Sequence, residues 1–197
     1  MKKTINKALL FCLTLAPFAA QSHEANSLPY GPFLSGITHP VLGFDHLLAM
    51  ISVGMISAQI GGRAIWSVPT TFVVVMFIGG LIGINIEGLR GYEIGIAVSV
   101  LLLGSALAAD KRISNNFAMI AVGVFAIFHG YAHGNEIPKA IDPLSFIIGF
   151  VISTGLIHLV GILLGYILNN FYKGILSRVL GIFIFILGIT FIIRNYF

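Results

Sequence analysis

Histidines and carboxylates gather in two short segments of an otherwise apolar chain. The segments are residues 39–46 and residues 128–136. Ionisable side chains at membrane depth are costly and mark functional sites. Imidazoles with carboxylates are ligands for first-row divalent metal ions. We therefore expect one metal site built from His39, Asp45, His46, His129, His133 and Glu136.

The second segment has the spacing of ligands on one helix face. His129 and His133 are four residues apart, and Glu136 is three residues further on. Side chains at these intervals stack on the same face of a helix. Gly130 and Gly134 leave room beside them for another helix.

The first segment is less regular. Pro40 suits the first turn of a helix, so we expect His39 just before it in an extended conformation. His46 would then lie about 10 Å further along a continuous helix. Asp45 either binds the metal or orients an imidazole from another helix. The spacing leaves open which residues bind directly, and places His39 at the rim.

The elements that must carry these ligands are membrane helices. The chain has 197 residues, of which 57% are hydrophobic and 9% charged, whereas soluble domains carry about a quarter charged residues. Stretches of roughly 20 apolar residues span a bilayer. We predict an all-α protein with six spans at about Pro40–Ile60, Val68–Ile86, Ile94–Ala109, Phe117–Gly134, Pro143–Leu168 and Ile175–Ile193.

The amino terminus has the pattern of a cleaved signal peptide over residues 1–22. Three lysines precede a short apolar core at residues 8–15, and residues 20–22 are small at the first and third positions. Cleavage after Ser22 would leave residues 23–197 as one six-helix transmembrane domain. His23 would then begin the mature chain, where its α-amine and imidazole can chelate a metal. The alternative is an uncleaved anchor.

Signal cleavage places the mature amino terminus outside the bacterial inner membrane, and six spans return the carboxyl terminus there. Basic residues are more numerous in inside loops, which agrees with this orientation: the inside loops hold Arg63, Lys111, Arg112, Lys173 and Arg178. Span one then begins, and span four ends, in the outer leaflet, so the two clusters meet at one depth. Spans one to three cross the membrane in the opposite directions to spans four to six, as in a 3+3 inverted repeat.

Other polar residues have simpler interpretations. His158, alone in the inner half of span five, is expected to tie helices together by hydrogen bonds. Glu87 and Glu93 are expected to be solvated beside an outer loop. Small residues spaced by four, Gly79 with Gly83 and the pair at 161 and 165, are expected to be helix-packing faces.

At the two clusters the chain resembles the HupE/UreJ family of nickel and cobalt permeases. The family motifs are His-x5-Asp-His in the first span and Phe-His-Gly-x-x-His-Gly-x-Glu in a later span. Residues 39–46 and 128–136 match both motifs, and residues 47–50 also fit. The resemblance extends over the whole chain, including the signal peptide. It implies uptake of Ni²⁺ or Co²⁺.

The leading functional hypothesis is a secondary transporter or facilitated channel, not an enzyme. No Gly-x4-Gly-Lys-Ser/Thr phosphate loop exists, so the chain does not itself consume ATP. The ion would be bound transiently, with no prosthetic group. The single cysteine, Cys12, lies in the signal segment, which excludes thiolate sites in the mature chain. The thinly spread charge of +4 does not indicate nucleic-acid binding.

Two alternatives come from other classes. An intramembrane zinc-dependent hydrolase would use a metal-bound water, although the sequence places no serine beside the clusters. A haem-carrying bundle would use histidines of facing helices as axial ligands.

Overall fold

A computed structural model describes residues 31–86, 88–110, 113–137, 142–170 and 174–196. The predicted signal peptide and His23 lie outside these residues. Within them the chain is all helical, with no strand. Its seven helices are α1 Gly31–Leu42, α2 Phe44–Ile60, α3 Ala64–Asn85, α4 Tyr92–Ala109, α5 Asn115–Glu136, α6 Pro143–Asn170 and α7 Ile175–Tyr196.

Helices α3 to α7 correspond to the predicted spans two to six. Each is at least 18 residues long and apolar enough to cross a membrane, and the bent pair α1–α2 can supply a sixth span. The boundaries differ from those predicted by a few residues, mostly because polar residues at the ends continue the helices. Helix α5, for example, begins at Asn115 and ends at Glu136.

The first predicted span is not one continuous helix, so this part of the prediction is wrong. Helices α1 and α2 are separated at Gly43 and meet at an angle of 78°. Gly43 has an extended backbone, with φ −78° and ψ 101°. Pro40 lies inside α1 and does not begin a helix. His39 is therefore helical, and the predicted extended conformation is wrong.

The three main helix pairs join the two halves of the chain: α3 packs on α5, α2 on α6, and α4 on α7. Helices α2 and α6 run parallel, since Gly54 contacts His158 and Gly165 contacts Met55. Helices α4 and α7 run antiparallel, because Gly104 faces Phe185 whereas Gly188 faces Leu101. If the first three spans are exchanged with the last three, the α3–α5 pair becomes the α2–α6 pair, and the α4–α7 pair becomes itself. A 3+3 inverted repeat requires this relation. The repeat itself stays a prediction.

The helices approach one another most closely at glycines, as predicted for both small-residue pairs. A Cβ atom on Gly79 would lie 2.8 Å from the carbonyl oxygen of Ile127, and one on Gly165 would lie 2.8 Å from the Cα atom of Met55. Real Cβ atoms do not approach backbone so closely, so side chains are excluded at both interfaces.

Candidate metal site

The two histidine clusters meet at the end of the bundle where α2 begins and α5 ends. The ring centroid of His46 lies 4.9 Å from that of His129 and 4.3 Å from that of His133. All three side chains are buried. We call His46, His129 and His133 the deep triad. The convergence predicted from topology is present, whereas metal binding stays a prediction.

Asp45 fixes the ring of His46, its own neighbour. Its Oδ1 lies 2.7 Å from His46 Nδ1 and also accepts a hydrogen bond from the His46 backbone N–H at 2.9 Å. A carboxylate beside Nδ1 favours a proton on that nitrogen and leaves Nε2 with a lone pair. His46 Nε2 has no hydrogen-bond partner among the described residues. Of the two roles considered for Asp45, orientation of an imidazole is found, but this imidazole belongs to its neighbour His46 and not to another helix.

Ser99 of α4 performs the same task for His129, and the sequence interpretation missed it. Its hydroxyl donates to the Ile96 carbonyl at 2.6 Å and lies 2.9 Å from His129 Nε2. A serine has one proton to donate. His129 must therefore donate from Nε2, which leaves the lone pair on Nδ1. That atom is buried and has no partner in the described parts of the chain.

A second group of ligand atoms lies towards the surface and shares His133. Ligand atoms of His39, His133 and Glu136 all lie within 4.8 Å of one another. Glu136 Oε2 is 3.4 Å from His39 Nε2 and 3.9 Å from His133 Nδ1. We call these residues the rim triad, because the side chains of His39 and Glu136 are 23% and 28% exposed. The predicted rim position of His39 is thus found.

The bend at Gly43 explains how His39 reaches this group. On a continuous helix, His39 and His46 would be too far apart for one compact site. With the bend, the His39 ring lies 4.8 Å from that of His133, which also contacts His46. Helix α1 is held there by α6, since Gly36 packs on the backbone of Phe146.

Aromatic rings form the apolar walls of the site. The Phe150 ring of α6 lies 4.0 Å from that of His133. The Phe72 ring of α3 lies 5.5 Å from that of His129. Neither was singled out in the sequence, because a phenylalanine in a membrane helix gives no signal of its position. These walls exclude water from the deep triad and strengthen electrostatic interactions within it.

Comparison with known proteins agrees with the resemblance seen at the motifs. The family model described as HupE / UreJ protein matches residues 10–191. The chain belongs to the HupE/UreJ family. One relative, Protein HupE from Rhizobium leguminosarum bv. viciae, is 38% identical over 170 residues, which cover 85% of this chain and 89% of the relative. No solved structure matches the chain.

Family membership and the apolar helices together make the chain a multi-pass membrane protein. Both HupE/UreJ motifs contribute to the site, and each motif supplies residues to both triads. Glu93, outside the motifs, is exposed as predicted. Glu87 lies outside the described residues.

The charge of Asp45 should contribute to metal affinity in this HupE/UreJ protein through its contact with His46. Asp45→Asn should weaken metal binding about tenfold, the lower end of the effect typical for groups that orient a ligand. The amide no longer provides the charge that holds the Nδ1 proton of His46. Isothermal titration of the purified protein with Ni²⁺ measures the change.

Asp110→Asn is the matched control for this substitution. Asp110 is a carboxylate at the other end of the bundle, paired with Arg178 at 2.6 Å. We expect it to leave the affinity unchanged. Equal affinities for Asp45→Asn and the parent protein would contradict the assigned role of Asp45.

Proposed function

We propose that this protein carries Ni²⁺ or Co²⁺ across the bacterial inner membrane, into the cell, as a secondary transporter or facilitated channel. The observation that supports this best is the deep triad. Three imidazoles meet there inside an apolar bundle, and two of them are held by Asp45 and Ser99 with a lone pair unpartnered among the described residues. A site of this kind suits a borderline divalent ion.

The two triads form consecutive steps in this proposal. Rim residues, which are partly exposed and include the carboxylate of Glu136, capture the hydrated ion. His133 belongs to both triads and passes the ion to the buried imidazoles. Imidazole and carboxylate hold such ions less tightly than thiolates do, and conduction requires binding weak enough for release. The ion is the substrate, and we propose no resident prosthetic group.

The proposed orientation places the rim triad on the periplasmic side, with both chain termini there. A membrane potential that is negative inside then favours entry of a divalent ion by roughly 4–5 kcal/mol per 100 mV. His23 at the processed amino terminus would assist capture. That role, and the signal peptide on which it depends, stay predictions.

The contact of Ser99 with His129 bears on the hydrolase alternative but does not favour it. The structure does place a serine beside a cluster, contrary to the sequence interpretation, because Ser99 contacts His129. However, Ser99 is fully buried and its proton is directed to the Ile96 carbonyl. Histidine therefore acts as the donor, whereas an activated nucleophile must give its proton to the base.

The haem alternative conflicts with the spacing of the rings. The His46 and His133 centroids are only 4.3 Å apart. A macrocycle cannot enter between imidazoles in contact. The deep triad is therefore suited to a single ion.

The direct test is uptake by the purified protein in liposomes. A metal-sensitive dye enclosed in the vesicles reports entry of Ni²⁺ or Co²⁺ under an imposed potential, negative inside. We expect saturable entry that depends on the protein, with each metal competing against the other. Entry no faster than in protein-free vesicles, for both metals, would contradict the proposal.

A further inference from the structure

His158 of α6 is a buried histidine that the predicted structural role does not explain. It is 1% exposed, and neither ring nitrogen has a hydrogen-bond partner among the described residues. The expected hydrogen bond between helices is therefore absent from the part of the chain that the structure describes. Burial of an unpaired polar group is unfavourable. An apolar side chain of similar size would fill the same space without this cost.

His158 lies next to the deep triad, behind a single aromatic ring. The Phe72 ring centroid is 5.1 Å from that of His158 on one side and 5.5 Å from that of His129 on the other. On α6, Phe150 contacts His133, and His158 follows eight residues later on the same helix face. Eight residues correspond to about 12 Å along the helix. His158 is thus the next imidazole deeper in the bundle.

Two further ligand atoms lie between these positions. Thr154, one turn before His158, places its hydroxyl 3.8 Å from the Met76 sulfur. Both residues are buried. Met76 is one turn after Phe72 on α3, so the Phe72–Met76 face of α3 packs against the Thr154–His158 face of α6. A small cavity lined by Met76 is also lined by His133, so Met76 lies close to the residue that both triads share.

We propose that His158, with the thioether of Met76 and the hydroxyl of Thr154, is a second binding position for the transported ion. An ion leaving the deep triad passes the Phe72 ring and is held at His158 before release on the opposite side. Imidazole and thioether suit a borderline or soft transition-metal ion and discriminate against Mg²⁺ and Ca²⁺. Two weak sites in succession permit conduction better than one strong site. This inference rests on the proposed function.

The test compares His158→Leu with the parent protein in the liposome assay. Leucine removes both ring nitrogens but keeps an apolar side chain of similar volume. We expect the maximal rate of Ni²⁺ entry to fall about tenfold, equivalent to a barrier higher by about 1.4 kcal/mol. The concentration at half-maximal rate should change little, because the rim and deep triads are intact. Equilibrium binding of Ni²⁺ to those triads should likewise persist.

Stability separates this role from a packing role. His158→Leu should unfold at the same temperature as the parent protein or higher, since an unpaired buried group is lost. Ile157→Ala, in the neighbouring buried position of α6, is the matched control. It should lower the unfolding temperature through the cavity it creates but leave the entry rate per folded molecule near normal. His158→Met, which keeps a ligand atom, should retain a rate between those of His158→Leu and the parent.

The outcomes distinguish the two proposals. A parent-like maximal rate for His158→Leu, with saturable entry in the parent, overturns the role of His158 and leaves the proposed function standing. Loss of entry in Ile157→Ala equal to that in His158→Leu also overturns it. If the parent protein itself carries no ion, the proposed function fails first. Should His158→Leu not fold, His158→Met takes its place, and a maximal rate for His158→Met equal to that of the parent would overturn the proposal.

Discussion

His133→Ala should abolish metal uptake while the protein still inserts and folds. His133 is the one residue common to the rim triad and the deep triad, so its loss removes a ligand from both steps. Removal of a directly bound imidazole should lower uptake at limiting metal by more than about tenfold, the minimum expected even for a supporting group. The substitution adds no charge to the bilayer. Initial uptake of radioactive nickel by cells, normalised to membrane-inserted protein, measures the effect.

Asn135→Ala is the matched control, because Asn135 is exposed and occupies a variable motif position next to Glu136 and two residues from His133. It should retain normal uptake. His46→Ala should reproduce the loss, since it removes another member of the deep triad. Near-normal uptake by His133→Ala at limiting metal would remove this residue from the pathway.

The meeting of the two clusters was predictable from topology alone. A membrane helix reverses direction at each loop, so the start of the first span and the end of the fourth span share one side of the bilayer. Apolar length predicted helices long enough to cross a membrane, and four-residue spacing predicted the common face of His129 and His133. Neither the direction of the helices nor the spacing of the histidines depends on side-chain packing.

The bend at Gly43 was not predictable in the same way. Pro40 suits the first turn of a helix, and this preference placed His39 outside the helix. In the structure α1 extends on both sides of Pro40, with Gly36 packed on α6, and the chain turns three residues after Pro40. Contacts with a distant helix thus outweighed the local preference. The bend matters for the site because it brings His39 into the rim triad.

The residues that orient the imidazoles also depend on contacts between helices. Ser99 looks like any other small residue in an apolar span, and its role requires α4 to lie beside α5. Asp45 was singled out by charge, but adjacency in sequence argued against a contact with His46, since neighbouring side chains diverge on a helix. Its position in the first turn of α2 permits contacts with both the backbone and the ring of His46. Spacing identifies the histidines that converge better than it identifies the residues that orient them.

Gly130→Ala should disrupt the site without changing any ligand. A methyl group there would overlap the carbonyl oxygen of Met76 and lie 2.8 Å from the backbone nitrogen of Gly80. Because both obstacles are backbone atoms, α3 and α5 must separate, at a cost of roughly 1–3 kcal/mol. Separation displaces His129 and His133, which flank Gly130, so we expect a lower unfolding temperature in detergent together with a severe loss of uptake.

Gly123→Ala tests the same substitution on the same helix where space is available. The nearest atom to a methyl group at Gly123 would be Thr71 Cγ2 at 3.7 Å, an ordinary contact. Alanine also favours the helix over glycine by about 1 kcal/mol. Gly123→Ala should therefore keep or raise the unfolding temperature and retain uptake. If the two variants behaved alike in stability and uptake, close approach of α3 and α5 at Gly130 would not be what positions the histidines. A loss confined to Gly130→Ala would show that helix packing, and not ligand identity alone, sets the geometry of the deep triad.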